Sequence, residues 1–165
     1  MPSVSIRLLP AQVEEFDDLV DSLHLSDRSE LYGQVIPLLH WFGSEVSRGQ
    51  LVGVLDIGQS LFTRISISEL WQKAQITTSG RSEQDSFGLP LEWRHKLSEM
   101  IDQVPELATE SLGDMFLLGV AFLQIALKEV ALDRLVVTAN PTTAIYNTLK
   151  TPLLEQTVGE RTVIN

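Results

Sequence analysis

The chain of 165 residues carries 22 acidic and 12 basic side chains, a formal net charge of −10 at pH 7. Its hydrophobic fraction of 44% excludes extensive disorder, and its length suffices for one sizeable core or two small ones. The absence of cysteine excludes disulfides and thiolate metal sites. The charge argues against nucleic acid as a generic partner, because DNA affinity depends on cations that neutralise phosphates.

No part of the sequence indicates a membrane segment. The N-terminus lacks a basic and apolar signal, and no apolar run approaches the roughly 18–20 residues of a membrane span. The longest apolar stretch, 115–127, is interrupted by Gly119 and Gln124. We therefore expect a cytoplasmic protein without a membrane partner.

The chain begins with a strand pattern in which polar and apolar residues alternate from Ser3 to Leu8. Alternation with a period of two places successive side chains on opposite faces of a strand. The apolar face consists of Val4, Ile6 and Leu8, and the polar face consists of Ser3, Ser5 and Arg7.

Two amphipathic helices are predicted after this strand. The first begins at Pro10, a residue favoured at helix starts, and its apolar side runs to Leu23. Residues 25–30 end this helix and cap the second, which continues through Phe42 and contains Pro37, where a kink or interruption is expected. A strand and two helices of this size cannot bury the apolar strand face, so the pattern indicates half of a larger unit.

This order of elements, together with the segment Ser-Asp-Arg-Ser-Glu-Leu-Tyr at 26–32, resembles the ribbon-helix-helix family of DNA-binding proteins, the Arc and MetJ group. The resemblance covers residues 3–48. It implies that the strand pairs antiparallel with the same strand of a second chain, and that the outward side of this β-ribbon enters the major groove of DNA. The expected assembly is a homodimer whose interface contains Val4, Ile6 and Leu8.

The resemblance assigns DNA contacts to five residues of this sequence. Ser3, Ser5 and Arg7 would read base edges, and arginine donating to guanine is the commonest specific contact. Ser26 and Arg28 would contact phosphate at the start of the second helix, which agrees with the affinity of a capped helix N-terminus for anions. The alternative for Arg7 is a solubilising charge on an edge strand.

Three features depart from the family pattern, and the first is Pro37 inside the second helix. Asp27 stands in the first turn of the second helix, close to the expected phosphate, and residues 1–56 contain three arginines against nine acidic residues. If acidic side chains from the linker or the second half lie beside Arg7, Ser26 and Arg28, repulsion excludes DNA binding.

The first and middle parts of the chain have predicted boundaries. Residues 1–58 form the ribbon-helix-helix-like unit and a following strand over 50–57. Residues 59–88 connect the halves through a short strand, a helix that begins at Ser68, and a polar, glycine-bearing linker over 77–88.

Residues 89–165 are predicted to form a second unit of helix, turn, helix and strand. Its helices begin at Pro90 and Leu112, and the latter helix is apolar nearly all round, as expected for a buried central helix. A strand over 133–138 and a helix over 142–149 complete the unit. The small residues that would allow close packing of the central helix are Gly113, Gly119, Ala121 and Ala126.

The two units can be aligned as a degenerate repeat whose offset drifts from about 80 to about 84 residues. The alternative is a chance superposition of two helical hairpins. In the repeat, the second unit is expected to lack a ribbon strand, because Ser86–Leu89 is short and interrupted by Gly88. The expected fold class is α+β, mostly helical.

The sequence contains no recognisable catalytic or metal-binding motif. Its three histidines, His24, His40 and His95, are isolated, and no serine lies in a nucleophile-elbow context. We therefore expect a protein that is not an enzyme and that uses no cofactor and no metal.

The first predicted function is sequence-specific DNA binding by a dimeric regulator of transcription or plasmid maintenance. The alternative is an acidic adaptor, in which the ribbon and helices hold a dimer together and the C-terminal half binds another protein. A small-molecule sensor with a pocket between the halves is a third option, supported by no buried polar residue. The charge around the ribbon distinguishes the first two.

Overall fold

The computed structural model describes residues 3–74, 83–107, 112–143 and 145–149. Helices outweigh strands, which confirms the predicted α+β, mostly helical class. The elements in chain order are β1 (Ser3–Leu8), α1 (Pro10–Ser22), α2 (Arg28–Ser47), β2 (Leu51–Asp56), β3 (Leu61–Arg64), α3 (Ile67–Ala74), β4 (Glu83–Gly88), α4 (Leu91–Gln103), a 3-10 turn (Pro105–Leu107), α5 (Leu112–Ala131), β5 (Leu135–Ala139) and β6 (Tyr146–Thr148).

Strand β1 forms a two-stranded antiparallel sheet with β4 of the same chain, and Ser5 lies opposite Ser86. The expectation that the second unit lacks a ribbon strand is therefore wrong. The linker predicted over 77–88 is a strand from Glu83 onward, and its earlier residues lie outside the described ranges. The error arose because β4 is mostly polar, with Phe87 as its one large apolar residue.

The apolar face of β1 is buried in the core of its own chain. Val4, Ile6 and Leu8 are 3%, 0% and 0% exposed. The sequence predicts that these residues form a dimer interface, because an isolated amphipathic strand needs a partner. The structure shows that a second chain is not needed for this purpose, since β4 supplies the partner strand and α5 packs against β1 within one chain.

The two halves repeat the same order of strand, helix, helix, strand and strand. Helices α1 and α4 have 13 residues each, and α2 and α5 have 20 each. The offset is 81 residues for the first pair of helices and 84 for the second. Both long helices also end alike: Gly49 and Asp133 have positive φ and donate their N–H groups to the carbonyls of Val46 and Val130.

Three contacts place a pseudo-twofold axis between the halves. When two equivalent strands pair antiparallel, a residue lies opposite its own equivalent only at the symmetry axis. The offsets of 81 and 84 residues tell which residues of the two halves are equivalent. Equivalent residues face each other in both sheets and where α2 crosses α5. The three pairs are Ser5 with Ser86, Gly53 with Val137, and Gly119 with Val35. The geometry therefore favours a repeat over a chance superposition.

Helices α2 and α5 contact each other and also both sheets, the ribbon on one side and the four-stranded sheet on the other. The latter is antiparallel in the order β3-β2-β5-β6. A Cβ atom on Gly119 would lie 2.9 Å from Cγ of Leu39, so this glycine permits the close crossing expected from the sequence. One hydrophobic cluster extends from Val4 to Leu149, so the boundaries predicted near 58 and 88 do not separate independent cores.

The helix predicted over 142–149 is wrong: this segment contains strand β6, whose conformation depends on pairing with β5. Helix α2 is not interrupted at Pro37, which lies on its exposed side. Within the described ranges, no helix has the length and apolarity of a membrane span.

Candidate functional site

The outward side of the β1–β4 ribbon is polar and exposed, and no carboxylate projects from it on either strand. Residues paired across the ribbon share a face, so Arg7 stands beside Gln84. Nε2 of Gln84 donates to Oγ of Ser5 at 3.2 Å. No carboxylate of the described residues pairs with Arg7. The residues of this outer ribbon face are Ser3, Ser5, Arg7, Gln84, Ser86 and Gly88.

Helix α2 is capped by its own carboxylates. Asp27 is the N-cap: Oδ1 of Asp27 accepts the N–H of Glu30 at 2.9 Å. In return, Oε2 of Glu30 accepts the N–H of Ser26 at 2.8 Å. These two negative charges already complement the positive end of the helix dipole, so a phosphate at Ser26 would have to displace them.

Arg28 lies between the two halves and is bound by two aspartates. Its Nε and Nη2 donate to the two carboxylate oxygens of Asp85 at 2.7 and 2.9 Å, and Nη1 donates to Asp17 at 2.9 Å. A two-point arginine–carboxylate pair is among the stronger polar contacts in proteins. The arginine expected to contact DNA phosphate therefore contacts Asp85 of the ribbon instead.

Tyr32 completes this network, which we call the Arg28 clamp and define as Asp17, Arg28, Tyr32 and Asp85. The Tyr32 hydroxyl donates to Oδ2 of Asp85 at 2.5 Å, and burial raises the pKa of this hydroxyl, so it stays protonated. Hydrogen bonds from Arg28 lower the pKa of Asp85, which stays ionised at neutral pH. The clamp joins α2 of the first half to β4 of the second.

A cavity of about 440 Å³ opens beside the Arg28 clamp. Four aspartates, Asp17, Asp21, Asp27 and Asp85, line it together with a single cation, Arg28. Acidic side chains of both halves therefore lie beside the start of α2. This is the arrangement expected to repel a DNA phosphate at this helix.

The cap of α2 gives a first testable prediction. Asp27→Ala removes the acceptor for the N–H of Glu30, so the free energy of unfolding should fall by about 1 kcal/mol in urea titrations. The matched control is Asp18→Ala on the exposed side of α1, where alanine should be neutral or slightly stabilising. Equal effects of the two substitutions would contradict the capping role.

Sequence reasoning missed Asp85, Gln84 and Tyr32. Residues in β4 resembled a polar loop, and Tyr32 was counted among the apolar residues of its helix. One signal could have found β4: the offset of 81 residues matches Leu8 with Leu89, and both are fully buried.

Within the described ranges, no group of three histidine, cysteine or acidic residues is placed to hold a metal ion. No family model matches the chain, and neither a curated protein nor a solved structure does. The function is therefore argued from the geometry and charge of the chain itself.

Proposed function

We propose that this protein is a non-enzymatic adaptor that binds a basic protein partner. The observation that carries the proposal is the Arg28 clamp. The cation at the start of α2 is held by Asp17 and Asp85, and aspartates dominate the adjoining cavity. A cationic partner is attracted to this surface, whereas a phosphate is repelled by it.

The charge of the whole chain supports the same class of partner. A net charge of −10 attracts basic surfaces and raises the rate of encounter with them, most strongly at low salt. The intramolecular ribbon supports a role for one chain alone, since β1 and β4 hold its two halves together.

The outer ribbon face favours a second candidate, DNA binding by a regulator of the ribbon-helix-helix type. Ser5, Arg7 and Gln84 are exposed on a two-stranded antiparallel ribbon, a shape that fits the major groove. Arginine suits guanine edges, and glutamine suits adenine edges. Because Ser26 and Arg28 are engaged within the chain, affinity would have to come from the outer ribbon face alone.

Two selections on the purified chain separate these candidates. One uses random duplex DNA at low and moderate salt, and the other uses random peptides divided into basic and acidic pools. The adaptor proposal expects enrichment of basic peptides, with an affinity that falls as salt rises, and no DNA sequence enriched at moderate salt. A DNA sequence that survives moderate salt would replace the proposal by the second candidate, and an empty result in both selections would contradict both.

Arg7→Ala provides a further prediction. The adaptor proposal expects the affinity for a selected basic peptide to change by less than about twofold, because the outer ribbon face lies opposite the clamp. DNA reading expects a loss of about 1–3 kcal/mol and a relaxed preference at one base pair. Titration calorimetry with both ligands measures this, and Arg48→Ala, at the far end of α2, controls for the lost positive charge.

A further inference from the structure

A second cavity, of about 320 Å³, lies between the β2–β3 hairpin, α3 and the C-terminal part of α5; we call it the hairpin cavity. Four apolar residues, Val54, Leu61, Ile65 and Ile125, line it. Leu61 is 53% exposed, so apolar area at the cavity wall is open to solvent. The volume is at the low end for small-molecule clefts and suits a single side chain better than a nucleotide.

Charged groups form the rim of the hairpin cavity. Arg134 lies between two carboxylates: Nη1 donates to Oε2 of Glu129 at 2.6 Å, and Nε is 3.6 Å from Oδ2 of Asp56. Glu69 adds a third carboxylate, whose Oε1 accepts from Oγ of Ser66 at 3.1 Å. The second oxygen of Glu69 has no partner among the described residues.

Arg64 also lines the cavity. It pairs with Gly53, whose position faces the opposite side of the sheet from its neighbour Val54, so strand alternation directs the start of the Arg64 side chain away from the apolar floor. Three carboxylates and two arginines border this floor, and Arg134 is bound by two of the three carboxylates.

We propose that the hairpin cavity binds a lysine or arginine side chain of the protein partner. This inference rests on the proposed adaptor function and names a place where one basic residue docks. The aliphatic stem packs on Val54 and Ile125, and the cationic head lies near Glu69 and Glu129. Lysine and arginine combine the apolar stem that suits this floor with the positive charge that suits this rim.

An amide NMR titration of the ¹⁵N-labelled full chain tests the proposal. The probe is N-acetyl-Gly-Lys-Gly amide, and the matched control peptide carries norleucine, which keeps the stem and removes the charge. We expect saturable changes in the amide chemical shifts of Val54, Ile65 and Ile125. The norleucine peptide should bind at least about twofold more weakly than the lysine peptide. Equal binding of the two peptides would overturn the proposal.

Two substitutions with opposite expected effects sharpen the test. Glu69→Gln removes a carboxylate that faces the head group, so it should weaken binding of the lysine peptide about two- to fivefold. Arg134→Gln removes the competing cation and should tighten binding by a similar factor. Glu14→Gln, on the exposed side of α1, controls for net charge and should change nothing. Weaker binding after Arg134→Gln, in a variant of unchanged thermal stability, would show that Arg134 favours binding instead of competing with the cationic head, and would overturn the proposal.

Failure of this inference is distinguishable from failure of the adaptor proposal. If the lysine peptide causes shifts only at Asp17, Asp21 and Asp27, the basic partner uses the cavity beside the clamp, and the assignment of the hairpin cavity is wrong. If it causes no shifts near the hairpin cavity, the inference is also wrong, and the peptide selection alone decides the adaptor proposal.

Discussion

Gly113→Ala, which adds one methyl group, is expected to lower the free energy of unfolding by about 3 kcal/mol or more. This is the largest loss that we predict for a single substitution. A Cβ atom on Gly113 would lie 1.9 Å from the carbonyl oxygen of Ser5 and 3.3 Å from Cα of Ile6. Both atoms belong to the ribbon backbone, which cannot shift without disturbing the pairing of β1 with β4. Urea unfolding followed by circular dichroism measures the loss.

Gly33→Ala is the matched control, since it makes the same change inside the other long helix. The nearest atom to a Cβ on Gly33 is Cζ of Phe87 at 4.0 Å, an ordinary contact. Alanine should therefore stabilise the chain by about 0.5–1 kcal/mol through its higher helix propensity. If the two substitutions had the same effect, the close approach of α5 to β1 would be contradicted.

Elements with strong local periodicity were predictable from the sequence. Strand β1 alternates with a period of two, α1 is amphipathic, and α5 is apolar nearly all round, so neighbouring residues alone define them. The repeat was also visible, because Glu45-Val46 and Glu129-Val130 stand at equivalent positions near the ends of α2 and α5. The drift of its offset is explained by a longer turn between the helices of the second half.

The ribbon partner and the candidate site could not be predicted in this way. Strand β4 owes its conformation to pairing with β1, a distant segment, and its own residues are mostly polar. Arg28 resembled a free cation near a helix start because its partner Asp85 is 57 residues away. One tertiary contact thus turns an expected phosphate contact into an internal ion pair, and no local window of sequence contains that contact.

Asp85→Asn is expected to lower the free energy of unfolding by about 2–3 kcal/mol at neutral pH. The substitution keeps the size of the side chain but removes the charge that binds Arg28 at two points. The side chains of Arg28 and Asp85 are 23% and 17% exposed, which places the effect below that of a fully buried pair. Asp17→Asn is the control: Asp17 is 55% exposed, so its loss should cost less than about 1 kcal/mol.

The pH dependence of this loss identifies its cause. Arg28 lowers the pKa of Asp85 below its ordinary value of 3.8, so the folded state binds this proton less readily than the unfolded state. The stabilisation is therefore fully present above the unfolded pKa and is lost as the pH falls through the lower pKa of the folded state. Urea titrations at about pH 7, 5 and 3 should show a difference between wild type and Asp85→Asn that is constant from 7 to 5 and smaller at 3. A difference that stays the same at all three values would mean that packing or hydrogen-bond geometry, and not the charge of Asp85, accounts for the role of the clamp.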